Sequence, residues 1–255
     1  MAAWSCSSRY AMPQPGLFIT ATDTEVGKTI LTGGIVGCLR EDGLDLGIWK
    51  PVQSGALCGQ PDADSARLKA LSGVPDAESA ICPYSLPHAV TPDLAARLEG
   101  RELTLPALLA GRDALPYQRL LVEGAGGLFA PIAHETTVAD LAATLQLPLL
   151  IIAPAGLGAI NHTVMTVRCA RQLGLTVAGI IFNRYTGPLP PARTMDQLLR
   201  SSQRTQPEAS NPLYVQALTQ CPILGYLPEL SDLSPTAVRA AIRQHIDLAT
   251  IRAAL

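Results

Sequence analysis

Ten residues limit the fold of this chain more than any others. The segment Thr20-Ala-Thr-Asp-Thr-Glu-Val-Gly-Lys-Thr29 lies directly between an apolar run, Leu17 to Ala21, and a helical pattern that opens at Lys28. A strand, a tight turn and Gly-Lys-Thr at a helix start surround a bound phosphate with backbone N–H groups and the positive end of the helix dipole. In such a loop Lys28 reaches the β and γ phosphates and the Thr29 hydroxyl ligates Mg²⁺. The strict form of the pattern has glycine where this chain has Thr22. The position between strand and helix therefore carries the reading, against the plainer one of an ordinary helix start with a solvated lysine.

Similar alternation continues along the chain. Short apolar runs at Leu17–Ala21, Leu46–Lys50, Arg119–Glu123, Leu147–Ala153, Thr176–Asn183 and Ile223–Leu227 read as strands. Helical patterns fall between them, at Lys28–Arg40, Asp64–Leu71, Pro92–Leu98, Val138–Leu145, Asn161–Leu173, Ala192–Ser201 and Pro235–Gln244. That order predicts an α/β fold, a three-layer sandwich with a mostly parallel central sheet. Residues 16–255 are expected to form one such domain, with residues 1–15 as a flexible lead-in that lacks the apolar core of a secretory signal. The polar, proline-rich stretch Gly187 to Pro212 reads as a surface excursion.

Composition removes several classes of function. The chain has 255 residues, with Lys+Arg 19 against Asp+Glu 21 and a net charge of −2. Its basic residues are scattered, so no nucleic-acid partner is expected. Hydrophobic residues reach 48%, yet the most apolar stretch, Leu147 to Ile160, is broken by Pro148 and Pro154 and is shorter than the ~20 residues a membrane helix needs. No membrane partner is expected. The 6 cysteines are dispersed without a C-x-x-C pair, which argues against a zinc site or disulfide framework and for a cytoplasmic protein with mostly buried thiols.

Two strand ends add chemistry. Arg119 to Glu123 delivers a carboxylate to the carboxyl edge of the sheet, followed by Gly124, Gly126 and Gly127, which let backbone approach a ligand closely. Glu123 is thus a candidate Mg²⁺ ligand. Lys50, before Pro51-Val52-Gln53-Ser54-Gly55, aims a positive charge at the same edge. Asp62 and Asp64 open a helix, and spacing alone leaves open which faces a metal and which caps.

In order, T-D-T-E-V-G-K-T at Thr22–Thr29, K-P-V-x-S-G at Lys50–Gly55, V-E-G-A-G-G at Val122–Gly127 and G-x-I-N-H at Gly158–His162 resemble the dethiobiotin synthetases, P-loop NTPase-like enzymes. The resemblance spans about Gly16 to Leu230. It implies a homodimeric, ATP- and Mg²⁺-dependent cyclo-ligase that takes 7,8-diaminononanoate, CO₂ and ATP. A carbamate forms on one amine, its oxygen attacks the γ-phosphate, and the second amine closes the ureido ring of dethiobiotin. ADP and phosphate are released.

Residue by residue, the resemblance gives Lys28, Lys50 and Thr24 catalytic roles. Nucleotide contacts fall to Glu25, Val26, Gly27, Lys28, Thr29 and Ile30, to Asn183 for the base, and to Gly225, Leu227 and Pro228 beside it. Substrate contacts fall to Ser54, Lys50, Gly126 and Gly127, with Gly158 and Asn161 meeting the substrate's carboxylate tail near the subunit interface. Thr29, Asp64 and Glu123 complete the Mg²⁺ site.

Three positions depart from the family. Ala21 replaces the loop's first glycine, Arg184 follows Asn183 where an acid is common, and Asp93 stands where His is frequent. The dimerising ATPases that partition DNA carry a lysine four residues before Gly27, where this chain has Asp23. Two rival readings are another ring- or amide-forming ligase on this fold and a non-catalytic nucleotide switch. The former normally continues into a glutamine-hydrolysing domain, for which the ~25 residues after Leu230 are too few. A switch has no need of a second phosphate-facing lysine at position 50.

Overall fold

A computed structural model describes residues 15–189 and 191–255, so the expected lead-in lies, except for Pro15, outside the described residues. The chain opens with β1 (Gly16–Ala21), α1 (Lys28–Glu41), β2 (Leu46–Trp49), β3 (Val52–Ser54), α2 (Asp64–Ser72), α3 (Glu78–Ile81), β4 (Tyr84–Leu86), α4 (Pro92–Leu98) and α5 (Leu105–Ala110). Its middle holds β5 (Arg119–Glu123), β6 (Pro131–Ala133), β7 (Thr136–Thr137), α6 (Val138–Leu145), β8 (Leu149–Pro154), α7 (Ala159–Gln172) and β9 (Val177–Tyr185). It ends with α8 (Met195–Leu199), α9 (Pro207–Thr219), β10 (Ile223–Pro228), α10 (Pro235–His245) and α11 (Leu248–Ala253).

The six strands read from the sequence make one parallel sheet in the order β10-β9-β8-β1-β5-β2. Parallel strands need crossover helices, and those helices cover both faces, so each strand is apolar on both sides. In β1, Leu17 and Ile19 join the core that contains Leu31 and Ile35 of α1 and Val238 and Ile242 of α10. Phe18 points the other way, into the core of Leu141 and Leu145 of α6, Val167 of α7 and Val215 of α9. Each such fully buried side chain contributes about 1.5–3 kcal/mol. The predicted α/β sandwich is therefore observed.

β1 pairs with β5 on one side and β8 on the other, Phe18 lying opposite both Val122 and Leu149. This register brings the loop after β1 and the end of β5 to the same carboxyl edge. After Trp49 the chain leaves the sheet: Lys50 donates its backbone N–H to Ile81 O at 2.8 Å, and β3 pairs with β4 in a separate two-stranded sheet. Lys50 thus sits at a corner, one residue beyond β2.

Two expectations need correction. The excursion from Gly187 to Pro212 ends inside a helix, α9, whose N1 residue Pro207 has the φ and missing N–H that a helix start tolerates. Pro212, the expected end of that excursion, is buried within it. Neither Asp62 nor Asp64 caps α2; Ala63 holds the N-cap position and makes no side-chain cap. Among the described cysteines, Cys38, Cys82 and Cys221 are buried, Cys58 and Cys169 are partly exposed, and all are free. No helix among the described residues is long and apolar enough to cross a membrane.

Candidate active site

The phosphate loop occupies residues 22–27, and its backbone explains the missing glycines. Thr22 continues the sheet, its N–H donating to Ile152 O at 3.1 Å. Within the loop only Glu25 (φ 57°) and Gly27 (φ 90°) take the left-handed conformation. Ala21 and Thr22 are therefore compatible with the loop, while position 27 requires glycine twice over. A Cβ there would lie 2.0 Å from Asn183 Nδ2. Gly27 is the N-cap of the 14-residue α1, so its helix dipole points into the loop.

Four side chains converge beneath this loop. Lys50 Nζ lies 2.7 Å from Glu123 Oε1 and 2.9 Å from Asp64 Oδ2. Thr29 Oγ1 lies 3.0 Å from Asp64 Oδ1 and 2.9 Å from Glu123 Oε1, but its one hydrogen serves only one of them at a time. Glu123 is fully buried, and its Oε2 has no hydrogen-bond partner among the described residues. The cluster thus holds more lone pairs than protons.

Burial pulls the Lys50 ammonium toward neutrality, but the charges of Glu123 and Asp64 outweigh it and hold its pKa above the ordinary lysine range. Burial likewise opposes the Asp64 charge, and Lys50 overcomes it, so the Asp64 pKa falls below the usual carboxylate value. Lys28 is different. Burial lowers it to about 8, since Glu123 compensates only in part and Lys50 repels it. Its Nζ donates to Asp23 O at 3.3 Å, which folds the side chain back over the loop.

A cavity of about 610 Å³ opens above this cluster, walled by Thr24, Glu25, Gly27, Lys28, Thr29, Ile30, Lys50, Ser54, Asp64, Glu123 and Gly126. Gly126, at φ 71°, turns the chain back so that a Cβ on it would lie 2.9 Å from Ala130 Cβ. Ser54 donates its hydroxyl to Val90 O at 2.6 Å, leaving its lone pairs for a ligand N–H. A second cavity of about 210 Å³ adjoins it, walled by Asn183, Leu227, Pro228 and Leu230. Asn183 donates Nδ2 to Val26 O at 2.8 Å and so braces the loop from behind.

Other sequence-predicted residues lie elsewhere. Val26 and Gly127 back the loop without lining either cavity, and Gly225 lies inside β10, bridged to Ile246. Gly158 and Asn161 line a separate groove of about 620 Å³ on α7 and α9, with Leu157 and Met165. Asn211 of α9 holds the turn before α7 by donating to Ala155 O at 2.9 Å and Gly156 O at 2.7 Å.

Sequence reading gave no role to three residues that the structure places at or behind the site. Gln53, 2% exposed, accepts from Ser65 N and donates to Ser65 Oγ, which fixes the start of α2 and hence Asp64. Arg67, one turn after Asp64, lines the larger cavity, a position its i+3 spacing signals. Arg184 lines both cavities.

A family model described as an AAA domain matches residues 15–237. The structure is similar in fold to the MinC:MinD cell division protein complex of Aquifex aeolicus, with TM-score 0.52 and 14% identity, covering 94% of this chain and 95% of that one. It is also similar to a ParA family ATPase from Chlorobium tepidum TLS, with TM-score 0.52 and 12% identity over 94% and 97% of the two chains. Such identities speak to fold alone. Sequence relatives are far nearer. The ATP-dependent dethiobiotin synthetase BioD of Bacillus thuringiensis (strain Al Hakam) is 42% identical over 215 residues, 84% of this chain and 83% of the relative. That of Bacillus cereus (strain ATCC 14579) is 41% identical over 234 residues, 91% and 90% of the two. With relatives this similar over most of its length, the chain belongs to the ATP-dependent dethiobiotin synthetase family, a family of ligases.

Proposed function

We propose that this chain converts 7,8-diaminononanoate, CO₂ and ATP to dethiobiotin, ADP and phosphate. The observation that carries the reading is the buried Lys50 ammonium, pinned by Glu123 and Asp64 yet open to the same cavity as Lys28 and Thr29. An ammonium has three donors, and two are committed to the carboxylates. The third is left for a ligand in that cavity.

The residue roles follow from charge. Loop N–H groups and Lys28 hold the β and γ phosphates, and Lys50 neutralises charge on the carbamate oxygen and the phosphoryl group as the bond between them forms. Transfer of a phosphoryl group gains mainly from such positioning and cationic stabilisation, and no protein nucleophile is needed. Ser54 and the Gly126 turn hold the diamine end against that phosphate. Asn183, with one amide N–H donated to Val26 O, offers its carbonyl oxygen to the amino group of adenine.

The residues present suit Mg²⁺: one hydroxyl, two carboxylates and an unpartnered buried carboxylate oxygen, Glu123 Oε2. Mg²⁺ is typically bound through one or two carboxylates plus substrate phosphate. Thr29, Asp64 and Glu123 would hold it, and bound there it would supply charge neutralisation to the phosphates.

Gly158 and Asn161 lie outside the catalytic cavity of their own chain, which supports a homodimer in which this turn meets the tail of substrate bound to the partner. The exposed apolar side chains beside them, Leu157 (89% exposed) and Met165 (55%), support an interface on α7. A protein of this function releases phosphate from ATP only when Mg²⁺, bicarbonate and 7,8-diaminononanoate are all present. Equal release without the diamine would reject the reading.

A further inference from the structure

The larger cavity and the smaller one beside Asn183 share four wall residues: Gly27, Ile30, Arg184 and Leu233. These four mark the passage between the space for phosphates and the space for the base. Gly27 is bare backbone, and Ile30 and Leu233 are apolar. Arg184 alone brings charge to the passage.

Its backbone is unusual too. Asn183 and Tyr185 on either side are buried in β9, whereas Arg184 is exposed and held at φ 50°, a conformation that side-chain-bearing residues adopt at a cost. The left-handed residue interrupts the strand's alternation, so that Asn183 turns inward to brace the loop while Arg184 turns into the passage. Strain of this kind concentrates at ligand clamps. The guanidinium has no hydrogen-bond or ion-pair partner among the described residues. Glu229, on the wall of the smaller cavity, does not pair with it.

We propose that Arg184 is a nucleotide-binding residue whose guanidinium pairs with the diphosphate oxygens from the base side, opposite Lys28, and retains both ATP and ADP. The proposal rests on the nucleotide reading of this site. A planar fork of donors matches phosphate oxygens two at a time, and an exposed, unpaired guanidinium gives up little to make the pair. A base edge is a poorer partner for it, because a base in the smaller cavity would lie beyond the passage, against Asn183, Leu227 and Pro228.

The test is equilibrium binding of ADP and of adenosine by titration calorimetry to the full-length protein and to Arg184→Ala and Arg184→Lys, each checked for folding by circular dichroism. Arg184→Ala is expected to weaken ADP by roughly 10- to 100-fold and adenosine by less than about twofold, with Arg184→Lys between, because a lysine keeps the charge without the fork. The ADP loss should shrink at about 0.5 M salt, where the Debye length is only a few ångströms. Unchanged ADP affinity in Arg184→Ala, with adenosine also unchanged, overturns the proposal and leaves the nucleotide site intact. Equal loss of ADP and adenosine overturns it as well, by placing Arg184 on the nucleoside. If the unsubstituted protein binds neither ligand, the nucleotide reading itself fails.

Discussion

Replacing Lys50 with Met removes one charge from a site where little else balances it. Lys50 is 3% exposed and Glu123 0%, whereas Asp64 keeps contact with water at 36%. The loss therefore falls mainly on Glu123, whose carboxylate would keep only the shared Thr29 hydroxyl at 2.9 Å. Breaking a buried ion pair by removing one partner costs about 3–5 kcal/mol. At roughly 2–4 °C per kcal/mol for a chain of this size, Tm should fall by about 6–20 °C. In Lys50→Met/Glu123→Gln the stranded charge is gone as well, and the double variant should be more stable than the single one, a coupling on the order of 2–3 kcal/mol. Thermal unfolding by circular dichroism at low salt, without added metal, reads both numbers. A single variant melting within about 2 °C of the parent would refute the argument that Lys50 neutralises this site, as would a double variant that loses the sum of the two separate effects.

Three further outcomes follow from the same geometry. Gly27→Ala combines a left-handed φ of 90° with a Cβ 2.0 Å from Asn183 Nδ2, so a stability loss of about 2–4 kcal/mol is expected, only partly recovered by Asn183→Gly because the backbone strain remains; full recovery would assign the cost to the contact alone. Asp64→Asn should raise the Mg²⁺ concentration needed for half-maximal turnover by roughly tenfold or more, and Asp62→Asn, exposed outside the cluster, by less than about twofold; equal effects would contradict the assignment. Lys28, lowered to about 8, is half-charged near pH 8 in the free protein, and phosphate binding restores its proton. Calorimetry in buffers of different ionisation enthalpy should show uptake of about half a proton on ADP binding at pH 8, where ADP itself is fully ionised, and almost none in Lys28→Met; no uptake by the unsubstituted protein at pH 8 would show that Lys28 does not meet the phosphates.

The sheet was legible because parallel strands buried on both faces leave short, continuous apolar runs, and all six, from Leu17–Ala21 to Ile223–Leu227, appear as such. The phosphate loop was legible from Gly27-Lys28-Thr29 after a strand. What escaped was set by long-range contact. α9 hides behind Pro207 and Pro212, and nothing local shows that Asn211 reaches back 55 residues to the turn before α7. Asp62 and Asp64 are two residues apart in sequence, and which of them faces Lys50 is set by contacts from distant residues, the Gln53–Ser65 hydrogen bonds and the Thr29 hydroxyl. Arg184 could be seen in sequence only as a departure from a family pattern. Its position between two cavities depends on the left-handed residue in β9 and on the irregular register of β9 against β10, which is a tertiary feature.

Incubation of the purified protein with ATP, Mg²⁺, 7,8-diaminononanoate and ¹³C-bicarbonate, followed by mass spectrometry and phosphate assay, tests the proposed reaction most directly. Dethiobiotin one mass unit heavier than the unlabelled compound, formed one for one with phosphate, is the expected result. Phosphate released without dethiobiotin, or dethiobiotin that carries no label, would contradict it.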